Sequence, residues 1–254
     1  MTPLSALLLF FAGVAASILG SLVGLGGGFV IVPVLRIVFG IPPAEAAGTS
    51  LLLVFANTAS STVGFLRGKM LDVRFALPYM LGAVPGSIIG VFAVQRATPI
   101  GFDIAYGCVL VTNAVLALRR RSIASRRAGE RTFADDWRIA LIAGVGIGFF
   151  SSAFGIGAGV VMIPMLLLAA RMPPLLVAAT SAFVVTFASP IGIVVHALTG
   201  DVDWALALPL VAGGLVGGGI APAIARRVSS PRLITLLAGA LMLAAAGLVL
   251  RHLV

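Results

Sequence analysis

The sequence has few charged residues, one cysteine and two histidines, and each scarcity excludes a class of protein. Only 10% of its 254 residues are charged, 60% are hydrophobic, and the mean hydropathy is +1.18. A soluble chain of this size could not cover its surface with so few charges. The single Cys108 excludes a disulfide framework and a cysteine metal site. We therefore expect no bound metal and no cofactor.

Long apolar runs are what the chain does have. Runs of about 20 residues, the length that crosses a hydrocarbon core, recur from one end to the other. They predict an all-α polytopic membrane protein whose surroundings are the lipid bilayer. Arginines that set membrane topology explain the net charge of +9 better than nucleic-acid binding does. The first run, "MTPLSALLLFFAGVAASILG", lacks a basic leader region, so we interpret it as the first span.

Two clusters of helix-breaking residues interrupt the apolar runs, "GLGGGFVIVP" at 24–33 and "GIGAGVVMIP" at 155–164. They lie 131 residues apart, and the same shift aligns further polar and proline positions. The aligned residues are Gly24, Gly26 and Gly28 with Gly155, Gly157 and Gly159, Pro33 with Pro164, Thr49 and Ser50 with Thr180 and Ser181, and Asp72 with Asp203. Shared hydrophobicity would not align these residue types in one register, so the chain consists of two homologous halves.

Each half contains five apolar segments. The segments are about 3–23, 28–39, 44–66, 74–95 and 100–118 in the first half, and about 139–154, 159–170, 174–198, 204–225 and 232–250 in the second. We therefore divide the chain into a first transmembrane repeat at 1–118, an arginine-rich cytoplasmic linker at 119–138, and a second transmembrane repeat at 139–254.

An odd number of segments per half predicts that the two halves have opposite orientations. The loop 67–74 carries three basic residues, whereas its counterpart 198–205 carries none and two aspartates. With the linker inside, fourteen of the 17 Lys and Arg residues lie on the cytoplasmic side, as topology rules require. We expect an inverted 5+5 repeat of about ten membrane segments, with one short broken helix in each half and both termini outside.

The second segment of each half has about 12 residues, or about 18 Å of helix, which is too short to span a membrane. Each glycine cluster should therefore be a break at depth, with Pro33 and Pro164 contributing to it. A short helix that starts there would present free N–H groups and a positive dipole end, which favour anions. The alternative is that the glycines only let helices pack closely.

The expected anion site combines the two breaks with the polar residues that follow them. Hydroxyl and amide groups can donate hydrogen bonds to an oxyanion, although a membrane Ser or Thr often bonds its own helix instead. The candidate substrate-binding residues are Gly24, Gly26, Gly27, Gly28, Phe29, Thr49, Ser50, Asn57, Gly155, Gly157, Ala158, Gly159, Val160, Thr180 and Ser181.

Four other polar residues have less specific interpretations. His196 could couple transport to protons, but its place near a segment end favours an interfacial residue. Asp72 and Asp203 are expected to cap the fourth segments. Arg36 could attract anions or extend to the outer surface.

The motifs "GLGGGFVIVPVL" and "GIGAGVVMIPML", each followed by Pro-Pro and Thr-Ser, resemble the sulfite exporter TauE/SafE family of membrane permeases over essentially the whole chain. The second copy departs slightly, with Ala158 where the first has Gly27. The resemblance implies secondary transport of sulfur-containing oxyanions such as sulfite, sulfonates or sulfoacetate across the bacterial inner membrane, with export as the direction. It leaves open whether a proton or sodium ion is coupled and which oligomer forms.

Other functions account for less of the sequence. An intramembrane enzyme would need a nucleophile with a base, a carboxylate pair or a metal cluster, and neither histidine has such a partner at ligand spacing. We therefore expect no enzymatic activity. An anion channel, or an importer of another small anion, stays an alternative to an exporter. A membrane scaffold would leave both breaks unexplained.

Overall fold

The computed structural model describes residues 3–23, 26–123, 136–157, 159–166, 174–225, 239 and 241–248. Within these ranges the chain is helical and has no strand. The helices are α1 (Pro3–Val23), α2 (Gly28–Ile37), α3 (Pro43–Arg67), α4 (Val73–Gln95), α5 (Pro99–Ile123), α6 (Trp137–Phe154), α7 (Gly159–Pro164), α8 (Pro174–Leu198) and α9 (Trp204–Ala225). Residues 241–248 are also helical. The predicted segments thus correspond to helices wherever they fall on described residues.

Six of these helices, α1, α3, α4, α6, α8 and α9, are long and apolar enough to cross a membrane. Large apolar side chains on their outer faces are exposed, among them Leu8, Leu81 and Leu208. Such a surface suits lipid rather than water. The prediction of a polytopic helical membrane protein is confirmed.

The short second helix of the first half begins beside the helix before it. The Gly26 N–H bonds the Gly20 carbonyl at 3.4 Å, and a Cβ on Gly27 would lie 2.9 Å from the Ala16 carbonyl oxygen. Helix α2 therefore begins beside the last two turns of α1 and not beyond its end. The chain is interrupted at the glycines, and the depth of this break in a membrane stays a prediction.

Pro33 does not break the helix, and this part of the prediction is wrong. Helix α2 runs through Pro33, which is buried, and ends at Ile37. Proline removes one i to i−4 hydrogen bond, and the buried packing of α2 compensates for that loss. In the second half the short helix α7 ends at Pro164.

The close contacts between the two halves occur in two sets, and the 131-residue shift relates one set to the other. Helix α4 packs along α6, and the repeat-related α9 packs along α1. At both interfaces a glycine approaches a backbone carbonyl so closely that a Cβ could not fit. The equivalent contacts are Gly82 with Leu141 and Gly213 with Phe10, Gly86 with Val145 and Gly217 with Val14, and Gly144 with Tyr79 and Gly13 with Leu210.

Helices α3 and α8 cross in opposite directions at the centre of the fold. Gly48 near the start of α3 packs against His196 near the end of α8. Phe65 near the end of α3 packs against Ala178 and Ala182 near the start of α8. These two helices are counterparts in the repeat, so the corresponding helices of the two halves run antiparallel.

The aspartates that precede the fourth segments act as predicted. The Asp72 side chain accepts a hydrogen bond from the Phe75 N–H at 3.2 Å, and the Asp203 side chain accepts from Ala205 and Leu206 at 2.9 and 3.1 Å. These contacts are helix N-caps. Capping thus accounts for the repeat-matched aspartates without any role in binding.

A buried ion pair joins α2 to α5. Arg36 donates from Nε and Nη2 to the two carboxylate oxygens of Asp103 at 2.9 and 2.7 Å, and from Nη1 to the Ile41 carbonyl at 2.7 Å. Both side chains are 2% exposed or less, so the expectation that Arg36 extends to the surface is wrong. The residues 131 positions later are Leu167 and Ile234, so the second half carries no such pair.

We predict that Asp103→Ile destabilises the protein by about 3–5 kcal/mol, because it leaves a buried guanidinium without its carboxylate. The double variant Arg36→Leu with Asp103→Ile copies the residues of the second half and should recover most of that loss. Equilibrium unfolding in mixed micelles measures both. A single variant as stable as wild type, or a double variant no better than the single, would show that the pair does not hold α2 against α5.

Candidate functional site

The two glycine breaks meet in the middle of the protein. Gly26 and Gly27 have φ angles of 83° and 86°, and Gly155 and Gly157 have 64° and 97°, a left-handed region that favours glycine. A Cβ on Gly26 would lie 3.1 Å from the Ile156 carbonyl oxygen and 3.7 Å from the Gly157 Cα. A Cβ on Gly28 would overlap the Gly155 carbonyl. The breaks are therefore in direct backbone contact.

Side chains of α3 hold both breaks in place. The Ser50 hydroxyl donates to the Gly155 carbonyl at 2.9 Å, so the first half binds the break of the second. The Asn57 amide donates to the Gly26 carbonyl at 3.1 Å, and its own oxygen accepts from Ser21 at 2.8 Å. All these side chains are buried. Ser50 and Asn57 thus contact the breaks, and their predicted binding of substrate stays a prediction.

Two residues that contact the breaks, or support a residue that does, were not predicted from the sequence. Ser21 supports Asn57, and the Tyr106 hydroxyl on α5 donates to the Gly28 carbonyl at 3.2 Å. Ser21 had a signal, because it is a polar residue inside an apolar run only three positions before the break. Tyr106 had none, since an aromatic residue in a membrane segment is ordinary.

A small cavity opens beside the first break. The space open to the centre of a water molecule is about 10 Å³, which is about enough for one water molecule. Hydroxyl, amide and apolar side chains line it, and no lining residue is charged. The lining residues are Ser21, Gly26, Asn57, Thr58, Ser61, Phe65, Ala178, Ser181, Ala182 and Val185. Three of the predicted residues, Gly26, Asn57 and Ser181, therefore share one cavity.

Several hydroxyls near the cavity bond their own helix. Thr58 donates to Val54 at 2.9 Å, Ser61 to Thr58 at 3.2 Å, and Thr180 to Leu176 at 2.7 Å. For Thr180 the ordinary membrane hydrogen bond is therefore what the structure has. Thr58 and Ser61 would have to rotate before they could donate to an anion.

The other predicted residues have varied surroundings. The Thr49 hydroxyl accepts from the Asp203 N–H at 2.9 Å, away from the cavity, and Phe29 is buried in the core. Gly159 starts α7. Gly24, Ala158 and the side chain of Val160 lie outside the described residues. Binding by any residue of the predicted site stays a prediction.

No candidate metal centre is found in the described part of the chain, where no three His, Cys, Asp or Glu residues come together to hold an ion. The Asn113 amide, another polar group in an apolar segment, donates to the Val109 carbonyl of its own helix at 2.9 Å. The site therefore consists of backbone, hydroxyl and amide groups. The hydroxyl and amide groups can donate hydrogen bonds to a small polar or anionic solute.

The chain is similar to known membrane transporters along nearly its full length. The family described as "Sulfite exporter TauE/SafE" matches residues 9–248. The "Probable membrane transporter protein YunE" of Bacillus subtilis (strain 168) is 33% identical over 255 residues, covering 92% of this chain and 93% of that protein. A "Probable membrane transporter protein" of Xylella fastidiosa (strain 9a5c) is 31% identical, covering 83% of this chain and 81% of the relative.

A plant relative shares a shorter region. The "Sulfite exporter TauE/SafE family protein 3" of Arabidopsis thaliana is 37% identical over 84 residues, covering 33% of this chain and 17% of the relative. No solved structure matches the chain.

The helical fold and its central breaks define a multi-pass membrane transporter. The chain belongs to the TauE/SafE sulfite exporter family. The bacterial relatives that match most of its length are named as membrane transporters, in agreement with the expectation of no enzymatic activity.

We predict that Asn57→Leu lowers the free energy of unfolding by about 1–3 kcal/mol, because the Gly26 carbonyl and the Ser21 hydroxyl lose a buried partner. Hydrogen exchange at residues 26–29 should rise with it. Thr112→Ala is the matched control, since its exposed hydroxyl bonds only the Cys108 carbonyl of its own helix at 2.8 Å, and it should change stability by less than about 0.5 kcal/mol. Equal effects of the two changes would mean that Asn57 does not hold the break.

Proposed function

We propose that the protein is a secondary transporter that exports small sulfur-containing oxyanions, sulfite or organosulfonates such as sulfoacetate, across the bacterial inner membrane. One observation carries the proposal: the two glycine breaks meet backbone to backbone beside an uncharged cavity whose lining includes hydroxyl and amide side chains. Irregular backbone at membrane depth is tolerated where it is buried in protein or lines a cavity, and transporters place their substrate sites there. The family name supports the sulfur oxyanion and the direction.

The anion would bind between the two breaks. The first turn of α2 has N–H groups without partners in its own helix, and its dipole end is positive. Asn57, Thr58, Ser61 and Ser181 line the adjoining cavity and carry hydrogen-bond donors. A carboxylate in the same place would repel the substrate, and none lines the cavity.

The compact cavity supports alternating access and not an open pore. Sulfite is larger than a water molecule, so the breaks have to separate before it can bind. Rocking of one repeat against the other would separate them, because each break belongs to a different half. The hydrogen bond from Ser50 to Gly155 crosses between the halves and would lengthen or break in that step.

The same mechanism requires the inverted 5+5 arrangement, which we propose on three grounds. The glycine contacts exchange between halves under the 131-residue shift, and the corresponding helices α3 and α8 run antiparallel. Basic residues are concentrated in the loops that this topology puts inside. An axis in the membrane plane would relate the repeats and put each break at the same depth.

Transport can be measured in proteoliposomes loaded with unlabelled substrate, with a panel of labelled sulfite, sulfoacetate and methanesulfonate outside. We expect saturable counterflow of at least one of these anions at rates well above empty vesicles. A carrier gives counterflow because one site faces the two sides in turn. Uptake without counterflow would indicate a channel, and no uptake of any member of the panel would overturn the substrate class.

Gly26→Val provides the inactive control for this assay. A β-branched side chain at a φ of 83° is strained, and its Cβ would press on the Ile156 carbonyl. The variant should insert into the membrane but show no counterflow. Full activity of Gly26→Val would mean that Gly26 contributes only to close helix packing and not to anion binding.

The inverted topology predicts that Lys69 and its repeat counterpart Gly200 lie on opposite sides of the membrane. Single cysteines at the two positions, introduced in a Cys108→Ser background, can be labelled in whole cells with an impermeant maleimide. We expect labelling at 200, where nothing lies within 4 Å of an added side chain, and labelling at 69 only in inverted vesicles. Labelling of both from one side would contradict the inverted repeat.

A further inference from the structure

The region that corresponds to the first cavity in the second half has different side chains. The 131-residue shift carries Ser21 to Ser152 and Phe65 to His196. Ser152 and His196 do lie together, since the His196 Nε2 is 3.1 Å from the Ser152 carbonyl oxygen. In this region Gly192 packs on both Ser152 and Leu51, at the place that corresponds to the open cavity of the first half. A histidine thus stands where the other side of the protein has a phenylalanine at the cavity wall.

His196 lies near the end of α8, where the sequence places it, and its side chain is fully buried. Its Nε2 faces the Ser152 carbonyl, and its Nδ1 faces the Asp201 carboxylate at 3.8 Å. Among the described residues, Nδ1 has no hydrogen-bond partner. Both facing atoms are acceptors, and a neutral imidazole has only one N–H to donate. The doubly protonated ring alone can donate in both directions.

The charged group that faces the His196 ring is the Asp201 carboxylate. Asp201 and Asp203 lie in the loop that follows α8, and their charges act on Glu45 in the first turn of α3. From α6 the facing residue is Ser152, which does not titrate. From α4, Gln95 donates to Asp201 at 2.6 Å, and the following Arg96 is the exposed C-cap of α4. The Asp201 carboxylate attracts a proton to the imidazole, and this attraction opposes the cost of burying the charged ring.

Asp201 connects the buried ring to solvent. Its carboxylate is 20% exposed and also accepts from the Thr199 hydroxyl at 2.6 Å. Nδ1 and this carboxylate are 3.8 Å apart, so a proton from water reaches Nδ1 through Asp201 when the two groups approach or a water molecule bridges them. Gly48 allows the approach, because a Cβ there would overlap the Asp201 carbonyl and lie 3.0 Å from the His196 ring.

We propose that His196 and Asp201 form a proton-binding site that closes one side of the transporter and couples transport to a proton. With the proton bound, the ring links α8 to the α6 carbonyl and to the Asp201 loop. When the proton leaves Nδ1 for water through Asp201, the attraction to the loop is lost, and His196 can withdraw from the place that corresponds to the open cavity. The coupling, though not the proton site itself, rests on the proposed function.

Nitrogen-15 NMR of the imidazole tests the proton site without any substrate. The chain has two histidines, so His252→Gln leaves His196 as the only signal. In lipid nanodiscs we expect both ring nitrogens of His196 to be protonated by about pH 5, below the range of an exposed histidine because burial opposes the charged ring. The doubly protonated fraction should fall in Asp201→Asn at the same pH. A ring that stays singly protonated down to about pH 4, or one unaffected by Asp201→Asn, would overturn the site.

Proton coupling is tested in proteoliposomes that contain a pH-sensitive dye and receive methanesulfonate, whose charge does not change over this pH range. Wild-type protein should move protons with the anion, and its initial rate should change by about fivefold or more as the pH on the Asp201 side crosses the histidine range. His196→Gln keeps an amide that can donate to Ser152 but cannot be charged, so its rate should be independent of pH. His252→Gln should behave as wild type.

The two experiments separate the two proposals. Anion transport without proton movement, with equal pH profiles for wild type and His196→Gln, would overturn the coupling and leave the transporter intact. Absence of transport of every anion of the counterflow panel, together with a titrating His196, would retain the proton site and overturn the substrate class and the coupling. A His196→Gln variant that fails to insert is replaced by Asp201→Asn, which leaves the buried ring in place.

Discussion

The contact between the two backbone breaks is the constraint on which the rest of the structure depends. Backbone atoms of Gly26 and Gly28 lie against those of Gly155 to Gly157, and side chains at these places would collide. Carbonyl groups in such a contact need donors in a medium without water. Ser50, Asn57 and Tyr106 supply them from α3 and α5. The polar residues of the membrane interior are therefore placed where the breaks require them, and the cavity forms at the edge of the same contact.

The two halves share a plan but differ in the polar groups that decide function. In the first half a buried Arg36–Asp103 pair attaches the short helix to α5, and the corresponding residues of the second half are Leu167 and Ile234. On the other side His196 replaces Phe65, and Ala188 replaces Asn57. A transporter built from two equal halves would have equal energies on its two sides. The two halves therefore differ in buried charge and in titratable side chains at corresponding positions.

Close glycine packing joins the two halves. At the interfaces of α1 with α9 and of α4 with α6, glycines of each helix lie against backbone carbonyls of the other. Such close backbone contacts are typical of membrane helix packing, which gains little from hydrophobic burial. Each of these interfaces joins the first helix of one half to the fourth helix of the other. The crossing pair α3 and α8 joins the halves at the centre.

The sequence by itself determined the helical segments, the caps at Asp72 and Asp203, the repeat and the positions of the breaks. These features depend on apolar length, on glycine and proline, and on residues within one or two helical turns of each other. Only the tertiary structure decided the partners of Arg36, Asn57 and His196. Arg36 and Asp103 lie 67 residues apart, and Ser50 and Gly155 lie 105 apart. Local pattern identifies a buried polar residue as unusual, but its partner depends on how distant helices pack, and no periodicity in the chain encodes that.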